Sequence, residues 1–155
     1  VFYENVIFTN CIFEEEFLFK YSNFENNADF TYNHFKDRAL FKYTTFTNST
    51  SFYSNIFRLE ADFKYTNFEG SVDFSDVTFY DIAEFKYAEF PYGVTFQNVK
   101  FSDIANFKYT KFFSPVNFND TRFEGDVDFK YTQLDGDDFV KSEIMNQILR
   151  EKWWN

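Results

Sequence analysis

Residues 63–68 read Phe63-Lys64-Tyr65-Thr66-Asn67-Phe68, and this stretch recurs through most of the chain. The copies begin at Phe19, Phe41, Phe63, Phe85, Phe107 and Phe129, each 22 residues after the last. They read FKYSNF, FKYTTF, FKYTNF, FKYAEF, FKYTKF and FKYTQL. Working outward from them, phenylalanines alternate five and six residues apart from Phe2 to Phe129, and Leu134 closes the series. Of 27 phenylalanines, only Phe17, Phe113 and Phe139 lie off this lattice. Helical stripes recur every three and four residues, so the lattice is no helix face. Self-similarity at a fixed period of this length marks a solenoid.

Two residues before most of these phenylalanines stands a small or β-branched residue, as at Ala61, Val72, Ala83 and Val94. A polar residue separates the two, as at Asp62, Asp73, Glu84 and Asn106. This alternation is that of a short strand, with the small residue and the Phe inward and the polar residue outward. By phase, Cys11, Asn33, Asn55, Val77, Val99 and Thr121 share one inward column. Its buried amides are expected to satisfy one another in an asparagine ladder.

The pattern of small residue, polar residue, Phe and two variable residues resembles the pentapeptide-repeat proteins, in a variant whose repeats alternate five and six residues. The resemblance covers residues 1–134. It implies an all-β fold: a right-handed, four-sided (quadrilateral) β-helix solenoid of about six coils, with bulges or wider corners at the six-residue spacings. Six coils at about 4.8 Å each make a rod roughly 29 Å long. Some members of the family mimic DNA and inhibit topoisomerases. That implies an alternative reading here, an acidic DNA-mimic binding module.

The repeat stops at Leu134, and residues 135–155 form a second unit. Asp135-Gly136-Asp137-Asp138 reads as a turn and helix start. From Phe139 the spacing turns helical, and Phe139, Ile144, Ile148, Leu149 and Trp153 are expected to cap the C-terminal end of the solenoid. An open solenoid end is an unpaired sheet edge. The first coil, Val1-Phe2-Tyr3 onward, shows no such cap and is expected to be an edge for self-association.

The 155 residues suffice for one such rod, and the net charge of −10 disfavours nucleic acid and anionic membranes as partners. No apolar run reaches membrane-spanning length, and no signal peptide is expected. The single Cys11 allows no internal disulfide and leaves the compartment open. His34 is the only histidine, outward by phase and on the other side of the wall from Cys11. Stacked carboxylates such as Asp81 with Asp103, and Asp76 with Asp120, read as a solvated acidic surface. No phosphate loop, zinc spacing or nucleophile elbow is present, so no enzyme, cofactor or metal is expected.

One feature goes beyond the fold. Outward columns elsewhere drift: Thr31, Tyr53, Ser75, Gln97 and Asn119 share one column. Yet Lys20, Lys42, Lys64, Lys86, Lys108 and Lys130 form a uniform column, as do Tyr21, Tyr43, Tyr65, Tyr87, Tyr109 and Tyr131. Ring stacking accounts for tyrosine but not for a file of mutually repelling ammoniums. The sequence therefore points to a structural scaffold, engineered on one face, that presents a Lys/Tyr ladder. That ladder would serve side-by-side self-association or an extended, periodic partner.

Overall fold

In the computed structural model the chain winds into a four-walled rod. The structure describes residues 1–154, and side chains through Lys152. Each coil gives one short strand to each wall; in the third coil these are Thr50–Ser51, Ile56–Phe57, Ala61–Asp62 and Asn67–Phe68. The first wall stacks six strands from Val6–Thr9 to Val116–Asn117. The second stacks six from Ile12–Phe13 to Arg122–Phe123, and the third six from Phe17–Leu18 to Val127–Asp128. The fourth runs from Asn23–Phe24 to Gln133–Leu134 and adds the antiparallel strand Asp137–Asp138. Coil-to-coil pairing is parallel and always joins residues 22 apart, such as Phe57 with Phe79 and Ala61 with Ala83.

The lattice phenylalanines fill the axis. Rings in one column stack, as Phe63 on Phe85 at 5.1 Å and 4°. Rings of the third- and first-wall columns meet edge to face across the axis, as Phe63 with Phe74 at 5.4 Å and 88°. Both arrangements suit the aromatic quadrupole, and each buried ring contributes roughly 1.5–3 kcal/mol. Small residues such as Ala39, Ala61, Ala83 and Ala105 fit beneath the rings on the third wall. Phe17 takes that small-residue place in the first coil and is buried, whereas Phe113 is exposed.

The two Phe spacings make two kinds of corner. Five-residue spacings close as four-residue turns, as where the Thr66 N–H donates to the Phe63 carbonyl at 3.2 Å. The third residue of every such turn has positive φ, from Asn10 at 55° to Tyr131 at 61°. Six-residue spacings make wider corners, where an Asp or Asn carboxyl or amide oxygen often accepts the next amide, as Asp81 does from Ile82 and Asp103 from Ile104. Two of the stacked carboxylates read as merely solvated are thus local braces of the chain.

The asparagine column departs from expectation. Asn33 Oδ1 accepts the Cys11 amide at 2.9 Å, Asn55 Oδ1 accepts the Asn33 amide at 2.8 Å, and Asn33 Nδ2 donates to the Phe8 carbonyl. The side chains pair with backbone one coil away, not with each other, because the corner amides point along the rod. Asn55 Nδ2 is buried without a partner. Asp62 departs too: it is only 6% exposed, although its place in the strand is outward.

The C-terminal end is closed. Leu134-Asp135-Gly136-Asp137 is a hairpin turn with positive φ at Asp135 and Gly136, the type I′ signature of Asp-Gly. A 3-10 turn, Phe139–Lys141, follows, with the Asp138 side chain accepting from the Val140 amide. Phe139 is fully buried, its ring 4.7 Å from that of Phe129. The helix, Glu143–Trp154, starts later than its spacing suggested, with the Ser142 hydroxyl accepting from the Met145 amide. Ile148 is buried, and Ile144 and Met145 pack against the core. Leu149 is not part of the cap; at 41% exposed it lies on the solvent side. Met145 packs inward with Ile144 and Ile148. The side chain of Trp153 lies outside the described residues. Gln147 ties the helix to the last coil through Asn119 Oδ1 at 2.7 Å.

Candidate functional site

The Lys/Tyr ladder lies on the narrow corner between the third and fourth walls. Phe and the residue after Tyr are inward, so Lys and Tyr occupy the tip. The turn puts each Tyr in the left-handed region, with φ from 55° at Tyr65 to 61° at Tyr109 and Tyr131. That conformation aims the Tyr amide along the rod, where Tyr65 N–H donates to the Lys86 carbonyl at 3.1 Å and Tyr43 to Lys64 at 3.0 Å. The ladder of backbone bonds therefore continues around the corner.

A left-handed conformation costs a non-glycine residue roughly 1–2 kcal/mol. Here ring stacking offsets it. Tyr21 and Tyr43 stack at 5.1 Å, Tyr43 and Tyr65 at 4.7 Å, Tyr65 and Tyr87 at 4.7 Å. Tyr87 and Tyr109 follow at 4.8 Å, as do Tyr109 and Tyr131. Each contact contributes about 0.5–1.5 kcal/mol, so an interior tyrosine with two neighbours recovers what the turn costs. Beneath the stack, Thr hydroxyls tie coil to coil: Thr66 Oγ1 donates to the Phe41 carbonyl at 3.1 Å and Thr110 to Phe85 at 2.8 Å.

Five of the six lysines also have local partners. Lys42, Lys86, Lys108 and Lys130 place Nζ at 5.1, 5.2, 5.5 and 5.0 Å from the ring centroid of the next residue. Such cation–π contacts lessen the repulsion along the file. Lys64 instead turns to Asp62, with Nζ 3.4 Å from Oδ2. Burial pulls the Lys64 ammonium down, but the charges of Asp62, Glu84 and Glu60 outweigh it and hold it above the usual lysine value. Burial pushes the Glu84 carboxyl up, against the hydrogen bond from Asn106 and the charge of Lys64. Asp62, Asn106 and Asp128 each stand two residues before a ladder Lys. Their side-chain oxygens accept the Lys64, Lys108 and Lys130 amides at 2.9, 3.0 and 2.7 Å.

The opposite narrow corner is an internal control. It has the same turn, with φ of 55–58° at Asn10, Tyr32, Ser54, Asp76, Asn98 and Asp120. Four of these six are Asn or Asp, the usual occupants of the left-handed region. The fold thus asks only for a residue that tolerates the turn, and it does not require tyrosine.

A protein-family model described as pentapeptide repeats (9 copies) matches residues 63–111 and again 85–133. The matched stretch carries four of the ladder rungs and the four-walled stacking described above. The chain carries pentapeptide repeats over residues 63–133, and its remaining coils keep the same 22-residue pattern. Its coils are built of alternating five- and six-residue repeats, and the narrow and wide corners are the structural expression of that alternation. Searches of curated proteins and of solved structures gave no match.

Cys11 is half-buried in the first coil, and its thiol faces the Thr9 carbonyl at 3.5 Å. His34 lies on the second wall, where Nε2 accepts from Arg58 Nε at 3.2 Å. The Arg58 guanidinium in turn covers the Tyr80 ring at 4.3 Å. Asp76 accepts from Asn98 at 2.7 Å. Among the described residues no group of three or more His, Cys, Asp or Glu is placed to hold a metal ion, and no helix is long and apolar enough to cross a membrane.

Proposed function

We propose that this pentapeptide-repeat rod is a non-enzymatic scaffold whose Lys–Tyr corner is its working surface. The single observation that carries the reading is the contrast between the two narrow corners. They share one backbone conformation, yet one is uniform in both exposed columns and the other drifts. Such uniformity on one corner alone is what engineering one face of a natural scaffold leaves behind. The product is a straight file of ammoniums and phenolic rings repeating at about the coil spacing, ~4.8 Å. A file of that kind suits an extended, repeating partner: an anionic polymer, a solid surface or a second rod.

Replacing the six lysines by Ser and the six tyrosines by Asn keeps residues that tolerate the turn. The variant is expected to retain its β-sheet circular dichroism. It should lose retention on immobilised heparin and polyphosphate, and any concentration-dependent light scattering of the parent. If the folded variant and the parent behave alike in all of these, the corner is inert and the reading fails.

A second reading, mimicry of DNA by an acidic face, lacks a supporting observation. Lys36, Arg38, Lys100 and Lys111 interrupt the carboxylates in ion pairs with Glu14, Glu16, Glu124 and Glu89.

A further inference from the structure

The third wall has a cationic edge and an acidic one. Its trailing edge is the Lys–Tyr corner. Its leading edge is the wide corner of residues 14–16, 36–38, 58–60, 80–82, 102–104 and 124–126, which holds nine carboxylates and three cations, a balance of −6. The ladder opposite holds six lysines. Both edges repeat once per coil, because every strand between them pairs at 22 residues, as Ala61 with Ala83 and Ala83 with Ala105. The ion pairs Lys36–Glu14 and Arg38–Glu16 use part of the acidic edge, but Glu15, Glu60 and Asp126 stand outside the ion pairs. The middle of the wall is internally satisfied: Asp62 pairs with Lys64, and Asn106 Nδ2 donates to Glu84 at 3.2 Å.

We infer that the partner of this wall is a second copy of the chain, bound face to face and pointing the same way. The inference rests on the Lys–Tyr corner being the working surface. In every coil the chain meets the acidic edge first and the lysine edge second. Turn one rod by half a revolution about an axis parallel to its length, and set the two third walls together. Each acidic edge then meets a lysine edge, coil for coil, on both sides of the contact. Reverse one rod end for end instead, and acid meets acid while lysine meets lysine. Charge order alone therefore selects the parallel pair. The contact is two-fold and self-complementary, so it closes at a dimer. Matching axial repeats add the rungs in one register, so the pairing is expected to depend steeply on salt.

The test uses the whole chain. Sedimentation equilibrium in about 0.05 M salt is expected to show a dimer that dissociates in about 0.5 M salt. For orientation, Cys11→Ser with Tyr3→Cys carries a spin label in the first coil. Parallel rods keep the two labels level across the pair, whereas antiparallel rods offset them along the axis by about five coil rises, ~25 Å, and so lengthen the distance between them. The reversal set Glu15→Lys, Glu60→Lys and Asp126→Lys should weaken the dimer at least about tenfold. The neutral set Glu15→Gln, Glu60→Gln and Asp126→Asn, which disturbs the fold less, should weaken it in the same direction. Both sets leave the lysine ladder intact, so heparin retention should persist. A parent that stays monomeric at low salt, a long label distance, or a dimer indifferent to both sets each overturns the inference. If pairing fails while the parent still binds heparin through its ladder, the working-surface reading stands; if both fail, both fall.

Discussion

Tyr65 and Asp76 stand on opposite corners of the rod in one backbone state, with φ of 55° for the tyrosine and 58° for the aspartate. Aspartate is at home there and tyrosine is not. What keeps Tyr65 in place is its pair of neighbours, the rings of Tyr43 and Tyr87, each at 4.7 Å.

The strength of the tyrosine stack should therefore depend on position. Tyr65→Asn breaks two ring contacts and is expected to cost up to about 1 kcal/mol, the lost stacking less the relief of backbone strain. Tyr21→Asn breaks one and should cost about half as much or less. Tyr65→Ala loses the stack and keeps the strain, so it should be the worst of the three. Urea denaturation of the single variants checks the order.

The threonines under the corner make a second graded set. Thr66→Val removes the hydroxyl bonded to the Phe41 carbonyl, which keeps the Thr44 amide at 3.2 Å. The expected loss is about 1 kcal/mol. Ala88 occupies the same column and leaves the Phe63 carbonyl without a hydroxyl. Ala88→Thr should add that bond and stabilise the rod by about 0.5–1 kcal/mol. A melting temperature that falls with Ala88→Thr would show the site too tight for the added atoms.

Glu84 sets a pH dependence. Its native carboxyl is raised, so the folded state holds the proton more firmly than the unfolded chain does. The stability from this group is present below the ordinary carboxyl value and is lost as pH rises through the raised native value. Glu84→Gln keeps the neutral form at every pH. The variant should match the parent near pH 4 and melt above it at pH 7; thermal melts across that range decide the matter.

At the C-terminal end, Phe139→Ala should cost about 3–5 kcal/mol, because the ring is fully buried against Phe129 and its neighbours. Leu149→Ala, on the solvent side of the same helix, should change stability by no more than about 0.5 kcal/mol. Hydrogen exchange of the Phe139 variant should rise first in the sixth coil, since each coil is held only by its neighbours.

Much of the rod is legible from Phe and the residue two before it, because those side chains alone face the axis. Their spacing yields four walls, six coils and the inward columns. The corners are less open to reading. Asn98 and Asp120 announce a left-handed turn; Tyr65 does not, since its place there depends on Tyr43 and Tyr87, one coil away on either side. Asp62 looked like a solvated strand residue because alternation records direction, not what covers the side chain. The helix face was misjudged at Leu149, which stands about 100° round the helix from the buried Ile148, and the acids at Asp137 and Asp138 belong to the hairpin and the 3-10 turn instead. The Lys and Tyr columns and the tyrosine stack stood out in the sequence, but the lysine–ring contacts and the acidic edge across the wall appear only when the coils are stacked.

Pairing at a constant 22 residues makes the rod countable. Any block of that length, such as residues 67–88, begins and ends at equivalent points on neighbouring coils. Excising it brings Thr66 to Glu89 across a junction like the native one, with the first coil and the cap unchanged. Length thus becomes an integer setting, a molecular ruler graduated in steps of about 4.8 Å. Each graduation carries one lysine and one tyrosine, so avidity for a long partner can be dialled by counting turns.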